Sequence, residues 1–464
     1  MDNVICIDFS DGTLLVTAPE DCAVPFEKWC VYDERFGCWR SDASDYAEIV
    51  MHLYANRIPY NDMARKYQKA EFRFCGERSP RPYQTEAVEA WKAAGRRGII
   101  ALPTGTGKTF VAEMAIESAA RSTLIVVPTI DLMTQWASRL ERTFGMHVAM
   151  FGGGAHEFGP LTVSTYDSAL LTMDTHGNEF GLLVVDECHH LPGETYRHIA
   201  KAAIAPFRLG LSATPERDDL PQYALSELLG GICYRKDIDE MEGEVLANYR
   251  TERICVDLSD EEFAEYHANR EKYLDFIRRN GIAMSSKDGW MQFLIAVSRR
   301  PGGREALKAF FAQKRIALSG RAKLEMIWTL LKRHANGRII VFTADNKTAY
   351  EIGERFRLPV LTHHTKSGER KEFLESFRSG EYPCIVTSRV LNEGVDVPEA
   401  DVGIVVSGTG SIREHVQRLG RILRPAAGKS AVLYELVSFG TSEYSISDRR
   451  RQHRAYERPG CQPS

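Results

Sequence analysis

Apolar residues in this chain fall in short unbroken runs, each followed by a stretch with helical spacing, and this rhythm occurs twice. In the first round Gly98-Ile99-Ile100-Ala101, Leu124-Ile125-Val126-Val127, Leu161-Thr162-Val163, Leu182-Leu183-Val184-Val185 and Arg208-Leu209-Gly210-Leu211 read as strands, up to about Tyr234. From Arg338 the rhythm returns in Ile339-Ile340-Val341-Phe342, Cys384-Ile385-Val386, Val402-Gly403-Ile404-Val405-Val406 and Ala431-Val432-Leu433-Tyr434. Runs without in-and-out alternation predict parallel strands covered on both faces by helices. The expected fold class is therefore α/β, with two parallel-sheet lobes.

Other segments break the rhythm. In residues 1–66, Val4-Ile5-Cys6-Ile7 and Leu14-Leu15-Val16 flank Ser10-Asp11-Gly12 and read as a hairpin. Trp29 to Tyr32 and Cys38 to Arg40 suggest a second hairpin around Glu34 to Gly37, and Tyr46 to Ala55 reads as an amphipathic helix. This predicts a small N-terminal α/β domain. Its aromatics Phe26, Trp29, Tyr32, Phe36 and Trp39 are expected to form its core, with stacking on unpaired bases as the alternative. The breaker-rich stretch from Cys75 to Pro82 marks a boundary, after which Tyr83 to Val88 opens a helix. Between the lobes, Glu261 to Arg315 is rich in Glu, Lys, Arg and aromatics at helical spacing, which predicts a helical insertion. The end carries Arg449, Arg450, Arg451, Arg454 and Arg458; a frayed, solvated tail is expected, with phosphate contact as the alternative. The expected division is thus 1–66, 67–235, 236–445 with the insertion at about 260–320, and a basic tail over 446–464.

Composition narrows the class without naming it. The 464 residues are 44% hydrophobic and 26% charged, an ordinary globular balance, with a formal net charge of −4. A chain basic all over is excluded; a local basic groove for nucleic acid is not. No apolar run approaches the ~18 residues of a membrane span, and Met1-Asp2-Asn3 does not open a secretory signal, so no membrane partner is expected. The ten cysteines include no Cys-x-x-Cys pair and are expected to be reduced, mostly buried thiols of a cytoplasmic protein.

The chemistry gathers at Leu102-Pro103-Thr104-Gly105-Thr106-Gly107-Lys108-Thr109, set between a predicted strand and a predicted helix. That is the context a phosphate-binding loop requires: glycines let backbone N–H groups converge on phosphate oxygens, and the helix N-terminus adds partial positive charge. Lys108 would neutralise the β- and γ-phosphates of ATP, and the Thr109 hydroxyl would hold Mg²⁺. Leu102 stands where the strict pattern has its first glycine, leaving Gly105 and Gly107 to shape the loop. The run Leu182 to Val185 ends in Asp186-Glu187-Cys188-His189. Asp186 at a strand tip would supply the second Mg²⁺ contact, and Glu187 would take a proton from the attacking water. A metal site from His189, His190 and Glu194 has no recognised spacing. Farther on, Arg421 and Arg424 lie within Gln417-Arg418-Leu419-Gly420-Arg421-Ile422-Leu423-Arg424 and would share one helix face. Arginines meeting developing phosphate charge are worth roughly 10³ to 10⁵ in rate.

Taken in order, the phosphate loop, Asp186-Glu187-Cys188-His189, Ser212-Ala213-Thr214 and Gln417 to Arg424 resemble a superfamily-two helicase. Val127-Pro128-Thr129, Ser164-Thr165-Tyr166, Val341-Phe342-Thr343 and Thr387 to Pro398 resemble that family's nucleic-acid-contacting segments. The resemblance implies two RecA-like lobes, with the insertion as a helical thumb. It implies adenine recognition at Gln84 beside Arg81, nucleotide binding by Asp396, and catalysis by Lys108, Asp186, Glu187, Gln417, Arg421 and Arg424. It also implies nucleotide-to-DNA coupling through His189, Ser212 and Thr214, and DNA contacts at Thr129, Thr165, Thr343 and Thr387.

Within the superfamily, Leu191 to Tyr196, Ile204 to Leu211 and the order of domains are similar to the XPB helicases of DNA repair and transcription initiation. Arg217-Asp218-Asp219 resembles their DNA-contacting Arg-Glu-Asp motif, with Asp218 in place of Glu. In that family the first domain senses damaged DNA and the insertion grips it. The resemblance implies an ATP- and Mg²⁺-dependent DNA helicase or translocase of 3′→5′ polarity on single-stranded and forked duplex DNA. ATP would draw the lobes together and its hydrolysis release them, giving a step along the strand. The alternatives are a motor for RNA or for restriction-type translocation, and an ATP-gated DNA-binding scaffold that recruits a nuclease partner.

Overall fold

The computed structural model describes residues 4–19, 22, 24–77, 79–216, 223–241, 245, 248–286, 288–388, 400–407, 430–444 and 447. The described residues up to Asp237 form one compact unit and those from Ile238 onward a second.

The first unit holds two sheets. The N-terminal one is five-stranded, in the order Val31–Asp33, Cys38–Asp42, Thr13–Thr17, Ile5–Ser10, Tyr60–Asp62. Both expected hairpins are present, turning at Asp11-Gly12 and between Asp33 and Cys38. The strand Tyr60–Asp62, parallel to Ile5–Ser10, has no sequence signal because it is short and polar. Helix Tyr46–Ala55 presses Tyr46, Ile49 and Leu53 onto Ile5, Ile7, Leu14 and Val16. Of the aromatics expected in this core, Phe26 is buried, Trp29 and Trp39 pack partly against it, and Tyr32 and Phe36 are exposed.

Contacts tie this small sheet to the lobe that succeeds it in the chain. Ile204 joins its core, and Asn178 donates to the Ala64 carbonyl at 2.8 Å. The Gly12 N–H donates to the Asp174 carbonyl, and Lys201 pairs with Asp42 at 2.7 Å.

The second sheet has eight strands, in the order Ile232–Arg235, Arg97–Ala101, Phe207–Ser212, Leu182–Asp186, Thr123–Val127, Leu161–Thr165, Ala149–Gly152, Ala155–His156. Every pairing is parallel except the last. The central strands Thr123–Val127, Leu161–Thr165 and Leu182–Asp186 are buried at every position, as apolar runs covered on both faces should be. All expected strands are present; the added ones are short and lie toward the two edges of the sheet.

The second unit has a six-stranded parallel sheet, in the order Asn248–Val256, Ser430–Ser438, Val402–Val405, Ile339–Phe342, Cys384–Thr387, Val360–Leu361. Asn248–Val256 is an edge strand whose Arg250, Glu252 and Arg253 hide it from apolar-run reading. The insertion is helical, as expected: Asp260–Arg279, Gly289–Arg299 and Gly303–Ser319 close on Tyr273, Phe276, Phe293, Ala306 and Ala309. Ser259 and Glu262 form a reciprocal capping box at its start, and Glu262 also accepts from the Arg321 N–H at 2.9 Å. Inside this lobe Lys323, fully buried, pairs with Glu443 at 2.6 Å and donates to the Val406 carbonyl at 2.7 Å.

Four cysteines, Cys30, Cys38, Cys188 and Cys384, are buried free thiols, whereas Cys6, Cys75 and Cys255 are exposed. No helix among the described residues is long and apolar enough to cross a membrane.

Candidate active site

The parallel sheet of the first unit brings several chain segments to the carboxyl ends of its strands, where α/β sheets place ligands. Strand Arg97–Ala101 runs into Leu102, whose N–H donates to the Ser212 carbonyl at 3.0 Å. Gly105 and Gly107 then adopt φ of 88° and 84°, the left-handed region that only glycine enters freely, and helix Lys108–Ala119 begins. A Cβ on Gly107 would meet Gln84 Nε2 at 2.7 Å, so this cradle is built for glycine. Within it the Lys108 ammonium rests on the Leu102 carbonyl at 3.3 Å, and Thr106 Oγ1 donates to the Pro103 carbonyl at 2.8 Å. Thr104 Oγ1 is buried with no hydrogen-bond partner.

Helix Pro82–Ala93 closes over the loop. Its capping box joins Arg81 and Gln84, with the Arg81 N–H donating to Gln84 Oε1 at 3.0 Å. Gln84 Nε2 donates to the Thr106 carbonyl at 3.1 Å, and Tyr83 Oη donates to the same oxygen at 2.5 Å. Tyr83 was not among the expected site residues; its place directly before Gln84 was the available signal.

Asp186 ends strand Leu182–Asp186, with Glu187 at its tip in a left-handed conformation, φ 45° and ψ 50°. For a non-glycine residue this costs roughly 1–2 kcal/mol, and such strain gathers at functional sites. Asp186 Oδ1 accepts from the Glu187 N–H at 2.9 Å, and Oδ2 accepts from the Trp136 indole at 3.0 Å. Burial, and then the neighbouring Glu187 charge, push the Asp186 carboxyl above its ordinary range, against the pull of Lys108. Glu187 Oε2 is buried without a hydrogen-bond partner and lies 3.5 Å from His189 Nδ1. Two mutually repelling carboxylates beside a lysine and a cradle of N–H groups fit a divalent cation bound with a polyphosphate.

From Glu187 a contiguous path leads to the neighbouring strand. His189, fully buried, places Nδ1 3.2 Å from Ser212 Oγ, and that hydroxyl accepts from the Thr214 N–H at 3.1 Å.

Thr129 follows strand Thr123–Val127 and Thr165 ends the neighbouring parallel strand Leu161–Thr165; they are the N-caps of helices Ile130–Phe144 and Tyr166–His176. Each helix therefore presents its N-terminus at this end of the sheet, as anion sites do. In the second unit Thr343 and Thr387 also lie together, at adjacent strand ends. Both are fully buried: Thr343 Oγ1 donates to the Asp345 carbonyl at 2.9 Å, and Thr387 Oγ1 to the Ser388 carbonyl at 3.2 Å. Their hydroxyls are thus buried against nearby main-chain carbonyls, unlike the part-exposed Thr129. Arg217, Asp218, Asp219, Asp396, Gln417, Arg421 and Arg424 lie outside the described residues.

Two parallel-sheet lobes, a phosphate loop on the first and an Asp-Glu-Cys-His strand tip beside it define the class: an ATP-hydrolysing helicase of superfamily two. Three family models match along the chain. They are the Xeroderma pigmentosum group B helicase damage recognition domain over residues 7–64, the res subunit of type III restriction enzymes over 77–217, and the ERCC3/RAD25/XPB C-terminal helicase over 309–456.

The chain is 44% identical over 372 residues to the DNA 3′-5′ translocase XPB2 of Sulfurisphaera tokodaii, covering 80% of this chain and 84% of that one. It is 29% identical to the DNA 3′-5′ helicase XPB of Mycobacterium tuberculosis, of whose length it spans 60%. Among solved structures, the Hef helicase domain of Pyrococcus furiosus matches 80% of this chain and 98% of its own, with a TM-score of 0.57 at 22% identity. The yeast Dbp5 structure with RNA and ADP BeF3 matches with a TM-score of 0.55 at 14% identity, a likeness of fold alone. The chain belongs to the XPB helicase family.

Proposed function

We propose that this protein is a DNA motor that uses ATP and Mg²⁺ to move 3′→5′ and open duplexes, acting in DNA repair and in transcription-linked opening. The observation that carries this reading is the contiguous path from Glu187 through the buried His189 and Ser212 to Thr214. It joins the group that would activate water to a neighbouring strand end, which a simple ATPase has no need of.

In this reading Gln84 and Arg81 meet the adenine, and Leu102 to Thr109 wrap the phosphates, with Lys108 on the β- and γ-oxygens. Thr109 and Asp186 would hold Mg²⁺, which when bound supplies charge neutralisation at those oxygens. Glu187 takes the proton of the attacking water; among the described residues its Oε2 accepts no hydrogen bond, and it lies 3.5 Å from His189 Nδ1. Arg421 and Arg424, with Gln417 and Asp396, complete the nucleotide contacts. Thr129, Thr165 and Arg217-Asp218-Asp219 hold the DNA, while the buried Thr343 and Thr387 brace the strand ends of the second unit. Because such contacts go to phosphate, binding is sequence-tolerant and weakens steeply with salt.

Strand displacement on duplexes with a single 3′ or 5′ tail tests the proposal. Displacement from the 3′-tailed duplex alone, needing both ATP and Mg²⁺, is expected; opening of the 5′-tailed duplex instead would reject the polarity, and opening without hydrolysis would reject the motor.

A further inference from the structure

Asp186 is held by more than its own strand. Its Oδ1 is fixed by the Glu187 N–H and its Oδ2 by the indole of Trp136, a residue 50 positions earlier in the chain and almost fully buried. A carboxylate with one donor on each oxygen cannot rotate about its terminal torsion, and the lone pairs left over point in a fixed direction. Outer-sphere donors of this kind set the orientation of metal-binding carboxylates.

Trp136 sits on helix Ile130–Phe144, whose N-cap is Thr129. At 1.5 Å per residue, the indole's backbone is roughly 9 Å along the axis from Ile130, the helix's first residue, close enough to be carried by any tilt of the helix. The next DNA-side threonine repeats the arrangement. Thr165 caps a helix whose first residue is Tyr166, and the buried Tyr166 hydroxyl lies 3.0 Å from the Asp186 carbonyl and 3.2 Å from the Glu187 carbonyl. That hydroxyl braces the strand tip where Glu187 takes its left-handed conformation.

We infer that Trp136 is a positioning residue for the divalent cation at Asp186, and that Trp136 and Tyr166 together relay DNA capture at Thr129 and Thr165 to the Asp186–Glu187 pair. This route runs beside the path through His189 and Ser212 and uses different elements. The relay rests on the proposed function, since it needs the two threonines to hold DNA phosphate; the cation-positioning half does not.

The test uses the full chain with ¹⁵N-labelled tryptophan indoles. The resonance of Trp136 among the six tryptophans is assigned by its loss in Trp136→Phe, or by elimination through Trp→Phe changes at the others if that variant does not fold. Adding Mg²⁺ to the ADP complex in place of EDTA should move the Trp136 indole resonance while those of Trp39 and Trp290 stay put. An unmoved Trp136 resonance overturns the positioning role and leaves a core tryptophan.

In parallel, Trp136→Phe should raise the Mg²⁺ concentration for half-maximal ATP hydrolysis by about tenfold, the loss expected of an outer-sphere partner. Tyr166→Phe should lower the fold-stimulation of ATPase by DNA with no change in the DNA concentration at half-stimulation. Wild-type stimulation in both variants overturns the relay. If the unaltered protein shows no DNA stimulation, the DNA-motor reading fails and the relay with it, whereas the Mg²⁺-dependent shift still decides the cation half.

Discussion

At the scale of single residues, the site depends on a few buried polar groups whose partners are distant in sequence. Ser212 is central: its hydroxyl faces His189 Nδ1 on one side and accepts the Thr214 N–H on the other. Replacing Ser212 and Thr214 together by Ala removes the shared hydroxyl but keeps the strand. ATP hydrolysis without DNA should then persist while stimulation by DNA falls away; a double variant that is stimulated like the unaltered protein would rule out this path. The phosphate loop was legible because its whole chemistry is local, with strand, glycines, lysine and helix start consecutive. Asp186 and Glu187 were legible for the same reason, as carboxylates at the end of an apolar run. The roles of Trp136 and Tyr166 were not, because each acts across the fold on a group whose proximity no spacing rule announces.

At the scale of elements, unbroken apolar runs identified the buried strands of both lobes and missed the edges. Asn248–Val256 pairs along its length with Ser430–Ser438, yet as an edge strand it carries Arg250, Glu252 and Arg253, which no apolar-run rule accepts. The seat of the N-terminal sheet on lobe one was likewise illegible, since apart from Ile204 it rests on polar and charged groups. Asp42 meets Lys201, and burial, reinforced by the Asp42 and Glu48 charges, raises the Asp45 carboxyl to about 6.

The sign of that shift has a consequence for stability. The folded chain holds a proton on Asp45 at pH values where the unfolded chain has lost it. Its contribution is therefore most favourable below about pH 4 and is lost as pH rises through about 6. Asp45→Asn should stabilise the protein at pH 7.5 by about 2 kcal/mol, with no gain at pH 4. Urea unfolding at the two pH values checks this, and a loss of stability at pH 7.5 would show that Asp45 is held as a needed anion.

At the scale of the whole molecule, the ordered motifs carried more information than composition did. A net charge of −4 gives no hint of a polyanionic partner, whereas the succession from Gln84 to Arg424 fits one class of motor. XPB family models match the N-terminal domain and the C-terminal lobe, and the phosphate-loop lobe matches the res subunit of type III restriction enzymes. A chain of that make should hydrolyse ATP in response to the polymer it moves on.

The most direct measurement is steady-state ATPase with no polymer, single-stranded DNA, forked duplex DNA and RNA, with Lys108→Ala and Arg421→Ala beside the unaltered protein. Stimulation by both DNAs and not by RNA, absent in both variants, is the predicted result. Stimulation by RNA alone would contradict the account and move the protein to another branch of the superfamily, and hydrolysis indifferent to every polymer would favour an ATP-gated scaffold that recruits a nuclease.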